Sequence, residues 1–181
     1  SFRARWDGVV AGESFPYTFN SGPAVQIVDA DNNGTANDLL VTSILGGTSS
    51  SGSVYLIKDA ASYSGLLPTS STSSYSVRFT GASSLDGIGS VTESKNGVLL
   101  ADIDGNGYAN DLFIAAYAAD IFATDTGAVY LIKDIDKKSG DISLAAGFDA
   151  RWSGGAISDT LPYTNSSEQG LHLVDVDGNG I

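Results

Sequence analysis

The 181-residue sequence contains no cysteine, no methionine and a single histidine, with only four prolines and nine basic residues against 21 acidic ones. Without cysteine there is no disulfide, no thiolate nucleophile and no Cys-ligated zinc. That composition suits an extracytoplasmic bacterial protein, although many cytosolic proteins share it. The lack of methionine even at position 1 reads as a processed chain or a fragment, and Ser1-Phe2-Arg3-Ala4-Arg5 does not look like a secretory signal. No apolar run approaches the roughly 18 residues of a membrane helix, so no membrane insertion is expected. A net charge of −12 and a pI near 4.1 disfavour nucleic acid and anionic membranes and favour cations. An apolar content of 42% and a mean hydropathy of +0.05 exclude a disordered acidic tail. The length allows one domain with a sizeable core. Twenty-two glycines, with many serines and threonines, point to turn-rich β structure.

What the chain does have is an internal repeat. Asp29-Ala-Asp-Asn-Asn-Gly34, Asp102-Ile-Asp-Gly-Asn-Gly107 and Asp175-Val-Asp-Gly-Asn-Gly180 recur at a spacing of 73 residues. The same spacing aligns Arg5, Arg78 and Arg151, then Trp6, Phe79 and Trp152, then Gly8, Gly81 and Gly154. It also aligns Glu13, Asp86 and Asp159. Val54-Tyr-Leu-Ile-Lys-Asp59 returns as Val129-Tyr-Leu-Ile-Lys-Asp134 at a spacing of 75, a two-residue drift in loop length. The repeat units are read as 2–74, 75–147 and a truncated 148–181, about two and a half in all, within one domain over 1–181.

Within a unit, short apolar runs alternate with Gly, Ser, Asn and Asp turns, and no segment holds a 3.6-residue period for three turns. The first unit predicts strands over Val25–Val28, Leu39–Thr42, Val54–Ile57 and Tyr75–Phe79. The second predicts Val98–Ala101, Leu112–Ala116, Ala128–Ile132 and a broken run over Ile142–Trp152. Val54-Tyr-Leu-Ile57 is apolar on both faces, so it belongs to a sheet covered on both sides. The expected fold is all-β, with consecutive four-stranded antiparallel blades of a β-propeller. Blades left open at the ends require further blades from a longer chain or from self-association.

The acidic loops carry the strongest chemistry. Calcium takes six to eight oxygen ligands, and alternate residues of a tight loop converge on one point. This places Asp29, Asp31 and Asn33, then Asp102, Asp104 and Asn106, then Asp175, Asp177 and Asn179, at positions 1, 3 and 5. Gly at position 6 turns the loop back. Thr35 or Tyr108 can offer a backbone carbonyl, and either Asn37 or Asp38, and either Asn110 or Asp111, can close the loop. An EF-hand is excluded, because its position 12 falls on Leu40 or Phe113 inside an apolar strand. Three copies in register favour metal over plain Asx turns, and an all-oxygen flexible loop favours calcium over magnesium.

Together, Asp86-Gly87-Ile88-Gly89, Asp102–Gly107, Asp111, Leu112–Ala115 and Gly127-Ala128-Val129-Tyr130 make the chain resemble the FG-GAP repeat. That repeat builds the β-propellers of integrin α-subunits and their bacterial relatives. The resemblance covers essentially the whole chain. It implies calcium loops on one rim of a propeller and an extracellular or cell-surface role in adhesion or binding.

The remaining polar residues are expected to be structural. His172 occupies a strand position held by Gln26 and Leu99 in the other units, and no nucleophile or nucleotide motif is present. Glu13, Asp86 and Asp159 recur with every unit, as turn or inter-blade residues would. The repeated arginines are expected to stack on aromatics or to pair with that acidic column. The expected function is a non-enzymatic calcium-binding extracellular module for adhesion, surface structure or partner binding, with a protein or carbohydrate partner. The alternatives are a propeller accessory to an enzyme whose catalytic part lies elsewhere, or a lectin-like sugar binder using the Arg-Trp positions.

Overall fold

The computed structural model describes residues 2–8, 13–16, 23–47, 50–91, 95–162, 171 and 173–174. Over these residues the chain is all-β, with short 3-10 turns that include Ala60–Ser62, Thr72–Ser74 and Ile135–Lys137. The first sheet holds β2 (Val25–Val28), β3 (Asp38–Ser43), β4 (Ser53–Ile57) and β6 (Val77–Thr80) as an antiparallel series. The second repeats it with β9 (Val98–Ala101), β10 (Asp111–Ala116), β11 (Ala128–Ile132) and β13 (Ala150–Ser153). A small hairpin of β7 (Ser90–Val91) and β8 (Lys95–Asn96) joins the second sheet through Ser90 opposite Ala116. Each sheet therefore takes three strands from one sequence unit and its fourth from the start of the next.

Two parallel pairings are absent from the sequence expectation. Strand β12 (Gly140–Ser143) runs along the outer edge of β6, and β5 (Gly65–Pro68) runs along β1 (Ala4–Asp7) in the same register. Each strand follows an apolar Val-Tyr-Leu-Ile segment; β12 extends the edge of the first sheet, while β5 and β1 form a separate two-stranded sheet.

β4 and β11 are buried along their whole length, as their two-faced apolar sequence requires. Gly52 and Gly127 precede them with φ of 85° and 69°, and a Cβ at either would strike backbone of the following unit, at Ile88 and Leu161 respectively.

The two faces of each sheet are used in a fixed order. Leu40, Val54, Leu56, Val77 and Phe79 from the front of the first sheet pack against Leu112, Ile114, Tyr130 and Ile132 from the back of the second, forming the main core. The repeat counterparts of that second set, Leu39, Val41, Tyr55 and Ile57, form the back of the first sheet. They pack with Tyr75 against Trp6, Phe15 and Tyr63. So the front of the first sheet faces the back of the second.

Burial at equivalent positions differs accordingly. Phe79 is fully buried between the sheets, whereas its counterpart Trp152 on the front of the second sheet is 51% exposed, with Phe113 at 6.2 Å. Phe79→Ala is expected to destabilise the protein by about 3–5 kcal/mol, and Trp152→Ala by clearly less. Urea unfolding of the two variants measures the difference, and equal losses would contradict the layered core.

Candidate metal centre

The loops between β2 and β3 and between β9 and β10 have the same hydrogen-bonded plan. In the first, Asp29 accepts the amides of Asn33 (Oδ1, 3.0 Å) and Gly34 (Oδ2, 3.0 Å), and Asp31 accepts Asn33 at 3.2 Å. In the second, Asp102 accepts Gly105, Asn106 and Gly107 at 2.9, 3.1 and 2.8 Å, and Asp104 accepts Asn106 at 3.1 Å. These bonds wind each loop so that alternate side chains face inward. The path needs positive φ twice: at position 6, where Gly34 and Gly107 have 86° and 88°, and at position 4, where Asn32 and Gly105 have 54° and 74°. Asn tolerates that conformation better than most residues, which accounts for its standing where the second loop has glycine.

The result is two carboxylate trios. Oxygens of Asp29, Asp31 and Asp38 lie within 4.8 Å of one another, as do those of Asp102, Asp104 and Asp111. The first two members of each trio reach the surface, and the third is buried at 0% exposure. Three like charges so close repel, and a cation among them removes that cost. All the donors are oxygens, a set suited to a hard divalent cation such as calcium.

Both candidates for closing each loop stand beside it, and the aspartates Asp38 and Asp111 complete the carboxylate trios. Each of these aspartates also has a second task. Asp38 accepts Ala30 and Asp31 amides on Oδ2 (2.8 and 3.2 Å) and the Asp59 amide on Oδ1 (2.8 Å). Asp111 repeats this with Ile103, Asp104 and Asp134 at 2.8, 3.1 and 3.0 Å. Each ties the loop's start to the chain leaving the central strand of its sheet.

Asn37 and Asn110 turn their amide nitrogens outward, to Asp59 at 2.9 Å and to Asp136 at 2.7 Å. The Oδ1 of Asn37 is buried and accepts no hydrogen bond, so it remains an available ligand atom. Asn33 and Asn106 accept the amides of Thr35 and Tyr108 (2.9 and 2.8 Å), whose carbonyls in turn accept Asn37 and Asn110 (2.8 Å each). Those carbonyls retain a second lone pair. Asp175, Asp177 and Asn179 lie outside the described residues, as does His172.

Sequence reasoning missed Asp59, Asp134 and Asp136, which rim the loops. Asp59 and Asp134 both hold the left-handed conformation, with φ of 49° and 52°. Their signal was present, since both end the repeated Val-Tyr-Leu-Ile-Lys-Asp. The Lys137 ammonium 2.8 Å away holds the Asp134 carboxyl below its ordinary range.

Away from the loops, Asp86 and Asp159 cap turns. Asp86 accepts the Ser83 amide at 2.7 Å, and Asp159 accepts Gly155 and Ala156 at 2.7 and 2.8 Å. Glu13 instead receives the hydroxyls of Tyr55 and Thr69 (3.2 Å each). The repeated arginines stack on an aromatic three residues earlier: Arg5 on Phe2, Arg78 on Tyr75 and Arg151 on Phe148, at 5.3, 5.5 and 5.2 Å. Arg78 pairs with Asp141 of β12 rather than with the acidic column, through contacts of 3.0 and 2.7 Å. Glu13, Arg78 and Asp141 line a polar cleft of about 970 Å³ rich in serine and threonine hydroxyls. Compared with models of known protein families and with curated protein sequences, the chain matches none.

Two predictions follow from these bonds. In the presence of chelator, Asp38→Ala strands buried amides and should cost about 1–3 kcal/mol in urea unfolding. An unchanged metal-free stability would reduce Asp38 to a ligand and nothing more. The second concerns Tyr75, whose hydroxyl donates to Asp141 at 2.7 Å. Burial, with that hydrogen bond, pushes its pKa from 10.0 up to about 12. Above pH 10 the unfolded chain has lost this proton while the folded chain keeps it. Stability from this group is therefore complete below pH 10 and disappears as pH rises through about 12. Urea midpoints across that window should fall more steeply for the natural protein than for Tyr75→Phe.

Proposed function

We propose that the chain is part of a calcium-stabilised, non-enzymatic β-propeller of the FG-GAP kind. It acts outside the cell as a binding or adhesion module for a protein or carbohydrate partner. The observation that carries this reading is the pair of carboxylate trios built identically at equivalent places in two units. The front-to-back packing of the two sheets, each built on a four-stranded antiparallel series, supports the propeller half of it, because stacking repeated in one sense generates a ring or a stack rather than a closed sandwich. Calcium here serves structure. The ligands recur with each unit, whereas an active site occurs once, and no histidine lies among the described loop residues to act as a general base.

A second reading draws on the cleft beside Arg78. Its carboxylates, guanidinium and hydroxyls can exchange hydrogen bonds with the hydroxyls of a sugar, although no aromatic platform lines it.

Calorimetric titration and thermal melting with calcium, magnesium and chelator test the main reading. A hundredfold excess over Kd should stabilise the fold by about 2.7 kcal/mol per site. Asp102→Ala should abolish binding at one loop and leave the Asp29 loop filled. A melting temperature indifferent to chelator, with no calcium by elemental analysis, would reduce the loops to plain turns.

A further inference from the structure

We propose that Asp86 and Tyr130 hold one internal water between them, in place of the direct phenol–carboxylate bond made at the same repeat positions in the first unit. In that unit the Tyr55 hydroxyl donates to Glu13 at 3.2 Å, and the Thr69 hydroxyl donates to the same carboxylate at 3.2 Å. Tyr130 is the counterpart of Tyr55 in the repeated Val-Tyr-Leu-Ile strand, and Asp86 is the counterpart of Glu13. Tyr130 packs in the main core with Phe79 and Ile88, which flank Asp86 in the chain. The pair therefore faces across the contact between the first and second sheets.

The chemistry of the two units differs at this point. Aspartate is one methylene shorter than glutamate, and the Asp86 Oδ2 is drawn back to cap its own turn, accepting the Ser83 amide at 2.7 Å. The place of Thr69 is taken by Leu144, since the two residues follow β5 and β12 and donate matching backbone bonds to Asp7 and Thr80. Leu144 is fully buried and has no hydroxyl to offer. Two buried polar groups remain. Asp86 is 1% exposed and Tyr130 0% exposed, and neither the Asp86 Oδ1 nor the Tyr130 hydroxyl makes a hydrogen bond to the protein. Burial, and after it the Asp86 carboxylate, push the Tyr130 pKa up, so the two groups are near each other. The Arg151 guanidinium, stacked on Phe148 at 5.2 Å, approaches the phenol without completing a bond to it.

Buried polar groups are almost always paired, and where protein groups do not meet, a water with two to four polar partners pairs them. A water here donates to the Asp86 Oδ1 and exchanges a hydrogen bond with the phenol, which both donates and accepts. The Asp120 amide approaches the same carboxylate and supplies a third partner. A metal ion fits poorly. Among the described residues Asp86 belongs to neither carboxylate trio, and the neighbouring Asp120 is exposed, with its Oδ1 accepting the Asp125 amide at 2.7 Å. The back of the first sheet thus meets its carboxylate directly and the back of the second meets it through water, a choice set by glutamate at 13 and aspartate at 86. This inference is independent of calcium and of the proposed function.

The test is a crystal structure of the full chain, grown with chelator, at a resolution that shows internal waters. One water should lie within hydrogen-bond reach of both the Asp86 Oδ1 and the Tyr130 hydroxyl. A direct Tyr130–Asp86 bond, a dry gap, or an ion with further ligands would overturn the proposal. In solution, magnetic relaxation dispersion of the water oxygen counts long-lived internal waters. Asp86→Glu should lose one of them, because glutamate reaches the phenol as Glu13 does. Asp86→Asn should keep it, because an amide oxygen of the same size still accepts. Retention in Asp86→Glu, or loss in Asp86→Asn as for a bound cation, would count against the water. Tyr130→Phe keeps the ring on Phe148 and completes a double-mutant cycle. The coupling of position 86 to the phenol should be about threefold or more stronger in the folding equilibrium for glutamate than for aspartate. Equal couplings would mean that no direct bond replaced a bridged one. Should Asp86→Glu fail to fold, the crystal structure and Asp86→Asn decide the matter alone.

Discussion

A four-stranded sheet has two faces, and in this chain both are apolar. Leu40, Val54 and Leu56 point one way, and Leu39, Val41, Tyr55 and Ile57 point the other. No single sheet can bury both sets alone, and the first sheet buries one against the second sheet and the other against Trp6, Phe15 and Tyr63. The rest of the structure follows from this requirement. The front of the first sheet meets the back of the second, glycine is needed at 52 and 127 where the next unit's backbone passes closely, and β12 returns to the edge of the first sheet. The second unit is joined to the first by the backbone hydrogen bonds of β6 with β4 as well as by side-chain packing.

The acidic loops are tied into this framework rather than hung on it. Asp38 and Asp111 are buried, and they anchor both the start of the loop and the residue following the central strand. A cation drawn to the surface pair of carboxylates would therefore act on a group that also fixes the sheet. A metal held by either trio would share that residue with the fold, which would link its affinity to stability at that point. The outward hydrogen bonds from Asn37 and Asn110 extend the same scaffold to Asp59, Asp134 and Asp136.

Much of this was legible in the sequence. The antiparallel strands fall within a few residues of the apolar runs, because period-2 alternation and flanking turns are local signals. The placing of Asp29, Asp31, Asp102 and Asp104 in tight loops was legible for the same reason, whereas the choice between Asn37 and Asp38, and between Asn110 and Asp111, was left open. The pairing of β12 with β6 was not, because Gly140-Asp-Ile-Ser143 has little apolar character and owes its conformation to a distant edge. Nor was the partner of Arg78. The repeat aligned it with its neighbours in sequence, while Asp141 reaches it only through that edge pairing. Asp59 went unread because the apolar segment before it drew attention to packing, and its left-handed turn beside the loop is a tertiary consequence.

Where the units match, the residues serve the framework, and where they differ, something else is being specified. The position opposite the repeated arginine is Leu66 in one layer and Asp141 in the next. Arg5 consequently bonds to its neighbour Asp7, whereas Arg78 is held by a carboxylate from another strand and faces the polar cleft. Glu13 departs in the same way from Asp86 and Asp159. They cap turns, while it takes hydroxyls from Tyr55 and Thr69 at the side of that cleft. A site that recognises a partner must break the symmetry of the repeat, since a feature present in every layer cannot single out one place on the surface. Two such departures meet at the cleft beside Arg78.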